Sequence, residues 1–200
     1  MEKSKFLWIL VFLIFIFGLV LVLPTDKHQV LYAEETYLLD DERLQIVTLI
    51  NQVRMDNGAQ NLTFSETLSQ VATLRACDMF NRNYFSHYTP DGKIIFINFL
   101  KANGIGYRDS GENLAKGKPA SRITPEKVVN AWLASDGHKY NLIRKVYRKI
   151  GVGIEVRGEE KIVVLIFTDS LDTHQLKPKS KLNKYHLWKY HLWRREILPW

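Results

Sequence analysis

The chain has 200 residues, 46% of them hydrophobic, enough for one domain with a packed core plus extensions, so wholesale disorder is excluded. The formal net charge is +7, but between His174 and Trp200 seven Lys and Arg residues stand against Glu196 alone, so most of the surplus lies in the tail. The body is close to neutral, which argues against nucleic acid as a partner, because such domains carry their charge on the fold itself.

Phe6 to Leu23 is an unbroken apolar run, the length of a short transmembrane helix. Lys3 and Lys5 precede it and place residues 1–5 in the cytoplasm. The competing reading is a cleaved signal peptide and a secreted product. The best local cleavage candidate, Leu31-Tyr32-Ala33, has a bulky residue where a small one is needed. An uncleaved signal-anchor over 6–23 is therefore expected, with the rest of the chain outside the cytoplasm. Residues 24–39 are mixed and polar and read as a linker.

Asp40 or Asp41 can cap a helix that runs to about Asn57, where Gly58 ends it. Leu44, Val47, Ile50 and Val53 recur at the helical period. Asn61-Leu62-Thr63-Phe64 reads as a crossing segment. Ser65 caps a second helix from Glu66 to about Asn81. The lone Cys77 falls within it and reads as a small buried apolar residue, since one thiol makes no intrachain disulfide. His87 follows the helix end, where a side chain can be aimed inward.

Thr89-Pro90-Asp91-Gly92 is a turn signature. A third helix is expected from Ile94 to Ala102, stopped by Asn103-Gly104. Ile105 to Lys118, with Glu112 in Gly111-Glu112-Asn113-Leu114-Ala115, reads as a short extended segment between loops. Thr124-Pro125-Glu126 starts another helix, with Val128, Val129, Trp132 and Leu133 as its apolar face. Gly137 interrupts, and His138 begins a short segment to Tyr147. Residues 150–156 and 161–167 form two strands of a hairpin, and the second, apolar on both sides, should be central. The expected class is α+β, with a small antiparallel sheet between helical layers and Glu112 on a short strand or at the sheet edge.

Leu49-Ile50-Asn51-Gln52-Val53-Arg54, Phe85-Ser86-His87, Gly111-Glu112-Asn113-Leu114-Ala115, the Trp132-Ser135-Gly137-His138-Asn141 series and Gly151-Val152-Gly153 follow in that order. Over residues 40–170 this series resembles the CAP superfamily of cysteine-rich secretory, antigen 5 and pathogenesis-related proteins, also called the SCP domain, in its bacterial extracellular branch. The resemblance implies a three-layer α-β-α sandwich. It also implies a central cleft in which His87 and His138 match the family histidines and Glu112 the first acid. The second acid of the eukaryotic members falls at Ser135, with Asp136 beside it.

Two imidazoles and a carboxylate could make an open zinc site with His87, Glu112 and His138 as ligands. Catalysis, as in a metal-assisted, peptidase-like extracellular hydrolase, would rest on Glu112 and His138. No nucleophile-elbow pattern surrounds Ser86 or Ser135, so the balance favours binding of a lipid or cell-envelope component over an enzyme. On that reading Glu112→Ala should leave the fold nearly intact. Trp132 reads as core, and Asn113 and Asn141 as loop-bracing amides.

Residues 171–200 form a basic aromatic tail that includes Lys-Tyr-His-Leu-Trp twice in tandem over 184–193. Lys, Arg, Trp and Tyr interleaved suit an anionic membrane surface, so a second membrane contact is expected there.

Overall fold

The computed structural model describes residues 27–169, with side chains from 39 onward. The expected transmembrane run at 6–23 and the tail at 171–200 lie outside the described residues. Among the described residues, no helix is long and apolar enough to cross a membrane. The chain divides into two compact units, Met1–Leu38 and Leu39–Trp200.

The first helix, α1, spans Lys27–Asp56. The segment read as a linker, 24–39, is helical from Lys27 onward. Asp40 and Asp41 are not caps. They lie inside α1 and accept hydrogen bonds from Arg43 and Gln45, at helical spacing along its surface. Gly58 ends the turn with a φ of 64°, as its position after the apolar stripe predicts.

Ser65 caps α2 (Glu66–Asn81) by accepting the Leu68 N–H. α3 spans Ile95–Ala102. α4 (Pro125–Leu133) starts at the expected Thr124 cap. α5 (Asp136–Ile143) begins two residues before His138 and includes Gly137, which therefore does not interrupt it.

Four strands form one sheet in the order β1-β3-β4-β2. β3 (Lys149–Arg157) and β4 (Glu160–Thr168) are the expected hairpin, with β4 inside the sheet. The segment read as a loop-bounded extension is an eight-residue strand, β2 (Ser110–Gly117), antiparallel to β4 along its whole length and forming one edge. The crossing segment supplies β1 (Thr63–Phe64), parallel to the start of β3, so the sheet is mixed rather than antiparallel.

The period-two alternation of β4 divides the core. Ile162, Val164 and Ile166 pack with α2 and α3 on one face, while Val163, Leu165 and Phe167 pack with α1, α4 and α5 on the other. Ser69 on α2 reinforces the first interface: its hydroxyl accepts the Val152 N–H at 3.0 Å. On the second face, the fully buried Arg54 of α1 ties that helix to the end of α5 and the segment that follows it. It donates to the carbonyls of Gln60, Leu142, Arg144 and Tyr147.

Candidate functional site

Glu112 lies on β2, opposite Ile166, so its side chain turns to the α2 face. There it meets Arg75, which sits one turn beyond Val71 and Ala72 on the buried stripe of α2. Arg75 Nε donates to Glu112 Oε1 at 2.9 Å, and the two side chains are 0% and 2% exposed. An ion pair this deep persists only when its remaining polar groups are satisfied. Arg75 meets that condition, donating to the Tyr84 hydroxyl at 2.8 Å and to the Ser86 carbonyl. Tyr84 in turn donates to Asp78. Burial and that bond push the Tyr84 hydroxyl up to about 12, so it stays protonated.

Arg75 thereby fixes the loop that carries His87. The second carboxylate oxygen, Glu112 Oε2, is 3.1 Å from His87 Nδ1. An ionised carboxylate only accepts, so Nδ1 carries the proton, which directs the other ring nitrogen, Nε2, away from Glu112. The His87 side chain is 46% exposed. His138 arrives from the opposite face of the sheet, on α5, and the two imidazole centroids lie 6.2 Å apart across the β2 edge.

The motif amides hold α5 there. Asn113 donates to the His138 carbonyl at 3.1 Å, and Asn141 donates to Asn113 Oδ1 at 2.9 Å and to the Glu112 carbonyl at 3.3 Å. Trp132, fully buried, donates its indole N–H to the Leu114 carbonyl at 2.9 Å. Side chains from α4 and α5 therefore occupy two carbonyls that an edge strand would otherwise present for pairing. Ser135 precedes α5 without a side-chain cap bond, and Asp136 opens the helix on its exposed side.

The ligand set expected for zinc stands here in the following geometry, in which Glu112 faces Arg75 and His87. Among the described residues, no group of three or more His, Cys, Asp or Glu side chains could hold a metal ion. Glu112 meets Arg75 with one oxygen and His87 with the other, so it orients a histidine instead of joining it as a ligand. Two imidazoles alone fall short of the three protein ligands of a catalytic zinc site. The same engagement leaves Glu112 poorly placed as a general base. Ser86 Oγ accepts the Tyr88 N–H, and neither Ser86 nor Ser135 is hydrogen-bonded to a histidine among the described residues.

Burial, and then the neighbouring His87 ring, hold the His138 imidazole below its usual value. The unfolded chain then binds more protons than the native state as pH falls below about 6.5, so acidification destabilises the fold. The stabilising difference is intact above that pH and is lost as pH falls through the lower, native value. Wild type should therefore lose melting temperature on acidification more steeply than His138→Gln. Equal slopes in the two proteins would contradict the assignment.

The model of the CAP cysteine-rich secretory protein family matches residues 47–167, more than half of the chain. The chain belongs to the CAP family. The Bacillus subtilis protein YkwD is 40% identical over 114 residues, covering 57% of this chain and 42% of that one. The B. subtilis membrane protein YlbC is 29% identical over 111 residues, covering 56% and 31%. The chain thus spans less than half the length of either curated relative. Among solved structures, an extracellular SCP-domain protein of Bacillus anthracis aligns with a TM-score of 0.58 at 26% identity, over 66% of this chain and 41% of that one. An outer surface protein of Borrelia burgdorferi aligns at 0.55 and 25% identity, over 62% and 90%.

Within this CAP domain the residue that sequence reasoning missed is Arg75. A signal existed: it is a cation at a helical position flanked by Leu68, Val71, Ala72, Ala76 and Met79, all buried. A charge on such a stripe requires a buried partner.

Proposed function

We infer that this CAP domain is an extracytoplasmic binding module, displayed at the membrane, that takes a lipid or cell-envelope component at a cleft centred on His87 and His138. The observation that carries the reading is the engagement of both Glu112 oxygens. It makes the acid a clamp and leaves the two imidazoles as the groups able to meet a ligand. Among the described residues the His138 ring makes no hydrogen bond, so it has capacity to spare. Display at the membrane is supported by the apolar run at 6–23 and by two relatives, the membrane protein YlbC and the extracellular SCP-domain protein of B. anthracis.

The test is an NMR titration of the full-length chain in nanodiscs, following the Cε1–H signals of His87 and His138. The probes are a short-chain phosphatidylglycerol and a digest of cell-wall glycopeptide. Saturable shifts with one probe, lost in His87→Ala, are expected. Silence of both rings towards both probes would remove the binding reading.

The tail adds a second, salt-sensitive membrane contact in this proposal. Removing residues 174–200 from a chain that lacks the 6–23 run should abolish sedimentation with phosphatidylglycerol vesicles at low salt. Unchanged sedimentation would exclude that contact.

A further inference from the structure

Arg108, Arg144, Lys145, Arg148 and Lys149 gather at the end of the sheet where Ser110, Thr168, Lys149 and Thr63 lie in register. Arg108 precedes β2, Lys149 opens β3, and the other three lie between α5 and β3. The acids at this end are already engaged. Asp169 accepts from Arg108 Nε at 3.1 Å and from the Arg108 and Asp109 N–H groups, and Asp109 pairs with Arg144. Glu66, at the start of α2, pairs with none of these cations. Among the described residues Lys145, Arg148 and Lys149 stand in no ion pair.

Two like charges meet here without a carboxylate between them. Arg148 donates to the Tyr147 carbonyl at 2.9 Å, and the fully buried Arg54 donates to the same oxygen at 3.4 Å. Neither guanidinium is in an ion pair among the described residues. Burial, and then the Arg148 charge, hold the Arg54 guanidinium below its ordinary value. An anion at Arg148 relieves that repulsion. It has access: Lys145 is exposed, the Arg108 side chain is 75% exposed, and Arg148 and Lys149 are half-buried.

We propose that this end of the domain binds an extended polyanion of the cell envelope, a polymer whose phosphate groups recur along its chain. Phosphate oxygens accept from guanidinium and ammonium groups alike. A polymer fits better than a single anion because the cations are spread over three segments and do not converge on one pocket. Position favours it over the bilayer. Glu42 of α1 accepts from Lys161, next to the start of β4, at 2.7 Å, whereas Arg54, further along α1, reaches the carbonyls that follow α5. α1 therefore enters the fold from the end opposite the cations, and the 6–23 run joins the domain from that side. The choice of partner rests on the extracytoplasmic reading above. The surface itself involves neither histidine of the cleft.

The experiment titrates the full-length, 15N-labelled chain, held in phosphatidylcholine nanodiscs, with long-chain polyphosphate and separately with inorganic phosphate. Saturable shifts of the 144–149 and Arg108 amides are expected with polyphosphate, at least about tenfold tighter than with inorganic phosphate at equal phosphate concentration. The double variant Lys145→Gln with Lys149→Gln should keep the melting temperature and bind polyphosphate about tenfold more weakly. Its slope of log affinity against log salt should be shallower by about 1.5, the worth of two phosphate contacts. The variant retains the basic tail, so the loss belongs to the folded domain. Equal affinity in the variant and wild type, which leaves the binding to the tail, would overturn the proposal. Equal affinities for the polymer and inorganic phosphate, the mark of an adventitious ion only, would do the same. Shifts confined to the His87 and His138 rings would assign the polymer to the cleft instead. Shifts over 144–149 on exchanging phosphatidylcholine for phosphatidylglycerol, with no polymer effect, would make the bilayer the occupant and equally refute it.

Discussion

Glu112→Ala is expected to lose about 3–5 kcal/mol of stability, because it leaves the fully buried Arg75 without its counter-charge. The sequence reading expects the opposite, a tolerated change at a ligand-facing acid. The reversal follows from where β2 points Glu112: inward to α2, not out to solvent. Replacing both partners by apolar residues, Arg75→Met with Glu112→Leu, should be less damaging than removing Glu112 alone, since no charge is then left buried. Urea denaturation of the single and double variants reads the difference. A Glu112→Ala midpoint equal to wild type would contradict the buried pair. The loop should respond as well. Arg75 holds the Ser86 carbonyl and Tyr84, so amide exchange over 84–88 should accelerate in Arg75→Met.

Gly153→Ala should be as costly, for a steric reason. A Cβ there would lie 2.2 Å from the Ala72 carbonyl carbon and 2.2 Å from the Thr73 nitrogen of α2. Gly151 meets the Leu68 and Ser69 backbone in the same way. No rotamer change relieves a contact with helix backbone, so α2 must lift from the sheet. The expected loss is about 3 kcal/mol or more, at or above the upper end of ordinary overpacking. Because α2 carries Arg75, the lift also disturbs the clamp on His87. Gly137→Ala is the matched contrast. That glycine is helical, has a negative φ and has nothing within 4 Å of an added Cβ. It should gain about 0.4–1 kcal/mol through a less flexible unfolded chain. Equal melting temperatures for Gly153→Ala and Gly137→Ala would contradict this account of the close helix–sheet approach.

Much of the frame was legible because local rules and tertiary packing agree. Ser65 and Thr124 cap the helices they precede, Gly58 and Gly104 end theirs at positive φ, and the apolar run of β4 lies inside the sheet. The failures occur where packing overrides local preference. Lys116 and the glycines at 111 and 117 weaken β2 as a strand on paper, yet full-length pairing with β4 holds it. β1 has two residues and exists only through its parallel partner. Asp40 and Asp41 look like caps, but the helix reaches back to Lys27 and uses them as surface partners. Gly137 looks like a break and is absorbed into α5.

The site followed the same division. The motif order identified His87, Glu112 and His138, and the fold brings His87 to Glu112 and places the two rings across the β2 edge. What the motif could not supply was the direction of the carboxylate. Arg75 supplies it from 37 positions away in the chain, and the partner of a buried charge is a tertiary fact.

The central claim is that Glu112 is a buried clamp that presents His87 with Nε2 outward. The most direct test is the imidazole 15N spectrum of His87 at pH 8. A protonated Nδ1 with an unprotonated Nε2 in wild type, reverting towards the Nε2–H tautomer in Glu112→Gln, is the predicted result. An Nε2–H tautomer in wild type, unchanged by Glu112→Gln, would contradict it.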